Sequence, residues 1–167
     1  MSTCSLSMPR CQIAINALIF LVVLASCKKK VDNPVNTSNG PFIIATLDGV
    51  DQWKSSTQGG LDINDTLAIG GEATDGSYIY IYFSDSKLVQ TPLNTPFSPL
   101  SLDFKYILGP DDVYSSTTPG GSASVTLTLY DPTKRSIAGY FSGTVVHPLV
   151  SGSDEQQITK GQFYVKY

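Results

Sequence analysis

Cysteine is absent from residues 28–167 of this 167-residue chain, whose three cysteines are Cys4, Cys11 and Cys27. A domain built from those residues can contain no disulfide bond, no thiol nucleophile and no cysteine-ligated metal. Its stability must therefore come from the packing of apolar side chains. About 140 residues are enough for one domain with a substantial hydrophobic core.

Histidine is almost absent, which removes many common catalytic and metal-binding motifs. His147 is the only histidine, so a zinc site with several histidines is excluded, and no His–Glu spacing typical of metalloproteases is present. A Ser/His/Asp triad stays open, because its members need not be adjacent, but the chain lacks a nucleophile-elbow pattern. We expect His147, which precedes Pro148, to be a solvated residue at the end of a strand.

Basic residues are outnumbered after Gly40, since residues 41–167 carry seven lysines and arginines against thirteen aspartates and glutamates. This acidic balance excludes nucleic acid as a partner, because phosphate binding needs a basic face. Asp62–Asp65 and Asp111-Asp112 could offer oxygen ligands to Ca²⁺, but neither segment fits a defined loop motif. We expect these carboxylates to be solvated turn residues, and the sequence predicts no metal and no cofactor.

The main apolar run, Ile13–Leu24, is too short to cross a membrane as a helix. Twelve residues span about 18 Å, whereas a bilayer core is roughly 30 Å thick. Together with Arg10 before it, this length is typical of the apolar part of a signal peptide. The run ends in Leu24-Ala25-Ser26-Cys27, and three lysines follow at once.

The four residues Leu24–Cys27 resemble the lipobox of bacterial lipoproteins. The resemblance implies transfer of a diacylglyceryl group to the Cys27 thiol, cleavage between Ser26 and Cys27, and acylation of the new amine. Several acyl chains would anchor the protein firmly, because each buried CH₂ contributes about 0.8 kcal/mol. An uncleaved anchor or a plain secretory signal is the alternative, and Met8 is an alternative start of translation.

From Phe42 onward, the pattern is typical of short strands joined by turns. Asp48-Gly49 lies between two such runs, which predicts a two-residue type I′ hairpin that places Ile44 opposite Trp53. Trp53 would then lie on the core face with Phe42 and Ile44. Gly70-Gly71 and Asp75-Gly76 are expected to join two further strands, Thr66–Ile69 and Tyr78–Phe83. Three prolines between residues 90 and 100 exclude a central strand and indicate an extended loop.

Residues 78–83 alternate strictly between aliphatic or phenylalanine residues and tyrosines. In a strand, Ile79, Ile81 and Phe83 face one way, because successive side chains alternate between the two faces. Neighbouring residues on the same face are about 6.6 Å apart. The opposite face carries Tyr78, Tyr80 and Tyr82. Tyrosine combines an amphipathic ring with a hydroxyl, which suits contact with carbohydrate or protein. These three residues are the predicted ligand-binding site, and an ordinary outer face partly covered by the proline-rich loop is the alternative.

The predicted fold is all-β: an antiparallel β-sandwich of eight or nine strands, because no window of ten residues after the signal has helical periodicity. A lipocalin-like meander barrel is the alternative. The predicted segments are a signal peptide (residues 1–26), a lipidated cysteine with a flexible tether (27–40) and the all-β domain (41–167).

Several segments of the domain resemble a family of small Bacteroidota lipoproteins that is classed as having unknown function. The similarity lies in Phe42–Trp53, Tyr130-Asp131, Ile137–Phe141 and Ile158–Phe163, together with the short signal and the Cys-Lys-Lys-Lys that follows it. It implies an outer-membrane lipoprotein but no activity. The acidic run that favours surface export in this phylum is missing after Cys27, so the periplasmic face and the cell surface both stay open.

Three functions are compatible with this sequence. The leading hypothesis is a non-enzymatic, lipid-tethered module that binds a glycan or a protein at the cell envelope. The second is a structural or assembly component of an outer-membrane complex. The third is an envelope hydrolase, for which thirteen acidic residues offer many carboxylate pairs and no identifiable one.

Overall fold

The computed structural model describes residues 35–49, 51–97, 102–148 and 154–167, except for the side chain of Asp85. These residues form nine β-strands and one short helix. The prediction of an all-β domain with eight or nine strands is therefore confirmed. The predicted signal peptide, Ser26 and Cys27 lie outside the described residues. The elements are β1 (Phe42–Leu47), β2 (Asp51–Ile63), β3 (Thr66–Ala73), β4 (Tyr78–Ser84), α1 (Asp85–Gln90), β5 (Leu102–Gly109), β6 (Asp112–Ser115), β7 (Ser122–Asp131), β8 (Ser136–Val146) and β9 (Glu155–Lys166).

All nine strands join one antiparallel sheet in the order β6-β5-β4-β3-β2-β1-β9-β8-β7. The sheet closes because β6 also pairs with β8, at Ser115 and Val146. Eight strands thus form a barrel, and β7 is an additional strand paired with β8. The prediction of a sandwich is corrected to the barrel alternative. Alternation of apolar residues shows that one face of each strand is buried, and this is equally true of a sandwich and of a barrel. Only the pairing between strands that are distant in the sequence decides whether the sheet closes into a barrel.

The barrel interior is filled by phenylalanine rings from four strands. The ring centroids of Phe104 and Phe141 are 5.2 Å apart, those of Phe141 and Phe163 are 6.2 Å apart, and those of Phe163 and Phe83 are 6.4 Å apart. All four side chains are buried. Such edge-on and tilted ring contacts add to the stabilisation that comes from burying apolar area.

The first hairpin forms, but its register differs from the prediction by one residue. Trp53 lies opposite Ala45, and Lys54 lies opposite Ile44. Asp48 and Gly49 both have positive φ, as a type I′ turn requires, but Leu47 pairs with Asp51, so the loop contains three residues. Because side chains alternate along a strand, this shift moves the core face. The buried residues are Ile43, Ala45 and Leu47, and not Phe42 and Ile44.

Trp53 is buried, as predicted, and its indole belongs to a hydrogen-bonded chain near the β3–β4 turn. Its Nε1–H donates to Ser77 Oγ at 2.7 Å, and the Ser77 hydroxyl donates to Asp75 Oδ1 at 2.7 Å. The bond from the Ser77 hydroxyl, followed by one from the Ser77 backbone N–H, lowers the pKa of Asp75. The turn is therefore tied directly to the core.

Two further features differ from expectation. Gly70-Gly71 lies inside β3, which continues to Ala73, so the turn to β4 contains only the second predicted position, Asp75-Gly76. The turn between β2 and β3 is at Asn64-Asp65, where φ is positive at both residues. The six-residue helix α1 was not expected, since it is too short to show periodicity and buries only Leu88 among its described side chains. Within the described ranges, no helix has the length and apolar composition needed to span a bilayer.

Replacing Ser77 by alanine should destabilise the domain by about 1–3 kcal/mol, because the buried Trp53 N–H loses its acceptor. Urea unfolding followed by tryptophan fluorescence measures the change. Ser56→Ala is the matched control, since the Ser56 hydroxyl also donates a hydrogen bond but is exposed. It should cost less than about 0.5 kcal/mol. Equal losses in the two variants would contradict the role given to the Trp53–Ser77 bond.

Candidate functional site: a tyrosine groove on the outer face

The tyrosine stripe, defined as Tyr78, Tyr80 and Tyr82, lies on the outer face of β4, as predicted. Ile79, Ile81 and Phe83 are fully buried on the opposite face, while the three tyrosines are half-buried. The ring centroids of Tyr78 and Tyr80 are 5.9 Å apart with planes 7° apart, and those of Tyr80 and Tyr82 are 6.1 Å apart. The stripe is thus an ordered row of rings held by a rigid strand.

Small residues on the neighbouring strands form a floor beside the stripe. Strand pairing places Gly70 next to Tyr80 and Gly59 next to Gly70, so that the three residues form one row across the outer face. The adjacent row runs from Tyr82 through Ala68 to Leu61. The tyrosine groove enclosed by β2, β3 and β4 has a volume of about 660 Å³.

Gly59 is distinct from the other glycines of this region, because no residue in the described part of the chain occupies the space where its side chain would be. A Cβ on Gly70 would lie 2.3 Å from the Tyr80 ring, and one on Gly60 would lie 2.5 Å from Tyr167 Cβ. A Cβ on Gly71 would lie 2.8 Å from Ser55 Cβ. A Cβ on Gly59 would meet nothing within 4 Å. Glycine inside a strand costs about 0.5–1 kcal/mol relative to alanine, and internal packing gives no reason for it here.

Charged groups lie at both ends of the stripe. The Tyr78 hydroxyl is hydrogen-bonded to the Glu72 carboxylate, and this bond is the largest cause of the raised pKa of Tyr78. Burial is the largest cause of the raised pKa of Tyr80. At the other end, Lys105 Nζ lies 3.5 Å from Asp103 Oδ2 and 5.3 Å from the centroid of the Tyr82 ring. The stripe therefore has an acidic side chain at each end, Glu72 beside Tyr78 and Asp103 beside Tyr82.

The proline-rich loop pairs with β7, and the residues that line the tyrosine groove all belong to β2, β3 and β4. The backbone N–H groups of Asn94 and Phe97 donate to the carbonyls of Leu127 and Val125, at 2.7 and 2.8 Å. This segment thus supplies hydrogen bonds along the outer edge of β7.

His147 is buried, and the prediction of a solvated residue is wrong. It follows β8 and packs edge-on against Tyr114, with ring centroids 5.3 Å apart. Its Nε2 lies 3.7 Å from Asp112 Oδ1 and 3.4 Å from the Asp111 carbonyl oxygen. The Tyr114 hydroxyl donates to Asp154 Oδ2 at 2.9 Å. This cluster joins β6 to the segment between β8 and β9, close to the pairing that closes the barrel.

None of the described histidines and acidic residues form a group of three or more that could hold a metal ion. Asp65 lies in the β2–β3 turn, and Asp111 and Asp112 lie beside His147. Comparisons with protein-family profiles, with curated proteins and with solved structures find no match to this chain. What the groove can bind is therefore inferred from its own geometry and chemistry.

The floor of the groove was not identified from the sequence. Gly59, Ala68 and Gly70 come together because of the β2–β3 and β3–β4 registers. The sequence signal for this floor is a pair of adjacent glycines in each of the two strands, Gly59-Gly60 and Gly70-Gly71. The sequence pattern predicts a turn at the second pair and assigns no role to the first.

The Tyr114 hydroxyl should make the domain less stable as the pH rises from 10 to 12. Burial, followed by the bond to Asp154, raises the pKa of Tyr114 from 10.0 to about 12. The unfolded chain therefore loses this proton first, and stability that is complete below pH 10 is lost as the pH approaches 12. Urea unfolding between pH 8 and pH 12 should show a smaller loss for Tyr114→Phe than for the wild type. Identical pH profiles would contradict this assignment.

Proposed function

We propose that this chain is a lipid-anchored protein of the cell envelope whose β-domain binds a glycan along the tyrosine groove. The observation that carries the proposal is the row of three half-buried tyrosine rings above the floor of Gly59, Ala68 and Gly70. The proposed role is binding, and no residue is assigned to catalysis.

The chemistry of a sugar ring suits this groove. A pyranose has apolar C–H faces that pack on aromatic rings, and hydroxyl groups that both donate and accept hydrogen bonds. The stripe supplies the aromatic surface, while Glu72 and Gln58 lie along the same groove. A volume of about 660 Å³ falls within the usual range of ligand sites, roughly 300–1,000 Å³.

The interior of the barrel is a less suitable place for a ligand. Phe83, Phe104, Phe141 and Phe163 pack against one another there. A ligand inside, as in a lipocalin-like barrel, would have to displace rings whose burial stabilises the fold, at a cost of several kcal/mol. The outer face offers an open surface without that cost, so we place the ligand there.

The anchoring part of the proposal rests on the N-terminal sequence. A lipid on Cys27 would attach the domain to the membrane through residues 28–40, after cleavage between Ser26 and Cys27. The resemblance to small Bacteroidota lipoproteins supports the outer membrane as the location, on either its periplasmic face or the cell surface. The acidic balance of residues 41–167 supports a partner other than nucleic acid.

A protein partner is the second candidate, and one observation favours it. Leu61 and Ile63, which lie on the same face of β2, are 59% and 51% exposed. Both side chains would be buried if the groove region packed against another envelope protein, as an assembly component would require.

Tyr80→Ala should weaken glycan binding about tenfold, because one aromatic contact contributes about 1.5 kcal/mol. The lipidated chain, purified in detergent, is tested on an array of neutral and acidic oligosaccharides. The wild type should bind at least one linear oligosaccharide. No glycan signal, combined with an envelope protein that co-purifies with the wild type and not with Leu61→Asp, would overturn the glycan proposal in favour of the second candidate.

Gly59→Val provides a test that does not remove any contact within the protein. The valine side chain should fill the groove and abolish array binding, while the free energy of unfolding stays unchanged or rises slightly. Gly109→Val is the matched control, because Gly109 is also a strand glycine with open space around it. Wild-type binding by the Gly59 variant would place the ligand elsewhere.

Cys27→Ser should abolish lipidation. In a bacterial host that processes lipoproteins, the wild-type chain should incorporate labelled palmitate and fractionate with membranes. The variant should lose the label and keep residues 1–26, because the peptidase acts after the thiol is modified. Cys11→Ser is the control and should behave as the wild type. Palmitate incorporation by Cys27→Ser would reject the lipoprotein assignment.

A further inference from the structure

Tyr82 lies between two cavities on the surface of the barrel. One is the tyrosine groove, and the other is a second depression of about 580 Å³, lined by the end of β4, the start of β5 and the start of β7 among other segments. Tyr82 lines both. Its neighbours across the sheet are Ala68, in the floor of the groove, and Asp103, in the wall of the second depression. A ligand chain that lies along the stripe is therefore directed towards the second depression at Tyr82.

The second depression, like the groove, combines apolar and polar side chains, because Phe83 and Leu102 line it together with several hydroxyl groups. The hydroxyls come from four segments: Thr66 at the start of β3, Ser84 at the end of β4, Thr117 after β6, and Ser122 at the start of β7. Asp103 is held in place there, because its Oδ1 accepts a bond from the Ser115 hydroxyl at 3.0 Å and its Oδ2 is paired with Lys105. Such a surface can form hydrogen bonds with sugar hydroxyls beside its apolar side chains.

The charges along the two cavities select against an anionic ligand. The described residues that line them include the carboxylates of Glu72 and Asp103 but no lysine, arginine or histidine. Lys105 is nearby, but its ammonium group is paired with Asp103 and lies over the Tyr82 ring. A glycan with carboxylate or sulfate groups would be repelled by Glu72, and the ammonium group of Lys105 is already paired with Asp103.

We infer that the tyrosine groove and the second depression form one binding track, joined at Tyr82, for a long, uncharged, linear glycan. The inference rests on the proposed function and adds the class of glycan and a second contact region. Three sugar units stack on Tyr78, Tyr80 and Tyr82, and the following units form hydrogen bonds in the second depression. The protein therefore holds an internal segment of a polysaccharide rather than a chain end.

The dependence of affinity on chain length tests this inference. The lipidated chain in detergent is titrated calorimetrically with cello-, manno- and xylo-oligosaccharides of three to eight units. We expect one of the series to bind, with a dissociation constant at least tenfold lower for the hexasaccharide than for the trisaccharide. The corresponding acidic oligosaccharide, a polyuronate, should bind at least tenfold more weakly than the neutral one of equal length.

Ser122→Trp should fill the second depression and remove the gain between three and six units, while trisaccharide binding stays unchanged. Ser124→Trp is the matched control, because Ser124 is exposed on the same face of β7, two residues further along. Thr117→Trp, in the connection between β6 and β7, also enters the depression and provides a second variant if Ser122→Trp folds poorly.

The failures of the two proposals are distinguishable. Trisaccharide binding without a gain at six units, or a gain that both Ser122→Trp and Thr117→Trp retain, would overturn the second contact region and leave the proposed function intact. Tighter binding of the polyuronate would overturn the uncharged class. No binding of any oligosaccharide at any length would overturn the proposed function itself.

Discussion

The pairing of the first strand with the last is the constraint on which the rest of this structure depends. β1 lies between β2 and β9, and the turn after β1 is fastened to β9 by two bonds between Asp48 and Gln157, which are 109 residues apart in the sequence. Contacts of this separation have to offset the entropy of closing a long loop. Once these contacts form, the sheet has an enclosed side and an outer side, and one face of each strand belongs to each side.

The candidate site depends on that enclosure through β4. Ile79, Ile81 and Phe83 are fully buried, so the strand cannot rotate or shift without exposing them. The tyrosines between them are consequently fixed on the outer face at regular intervals. The same strand thus contributes to the core and orders the rings, which lowers the entropy that a ligand must pay to immobilise them. The stability of the interior and the shape of the groove are therefore coupled.

Features that depend on local alternation could be predicted from the sequence, whereas features that depend on long-range pairing could not. The tyrosine stripe needed only the two-residue period of a strand. Trp53 is buried as predicted, but beside Ala45 and not in the hairpin register with Ile44 from which its burial was inferred. The groove floor needed the β2–β3 register, and the burial of His147 needed the approach of Tyr114. The first hairpin shows the limit between the two: positive φ at Asp48 and Gly49 was predictable, but the extra loop residue shifted the core face.

The position of the second depression follows from how the barrel closes. One edge of β8 is shared by two partners, because β7 pairs with it from Ser136 to Thr144 and β6 meets it at Val146. Residues 116–121 connect β6 to β7 along this shared edge, and Ser116, Thr117 and the first residues of β7 line the second depression together with the end of β4 and the start of β5. Because Ser84 follows Tyr82 on the same face of β4 and lines this depression, the cavity lies directly beyond the stripe along the strand. The junction of β6, β7 and β8 thus supplies the surface that the proposed binding track requires next to Tyr82.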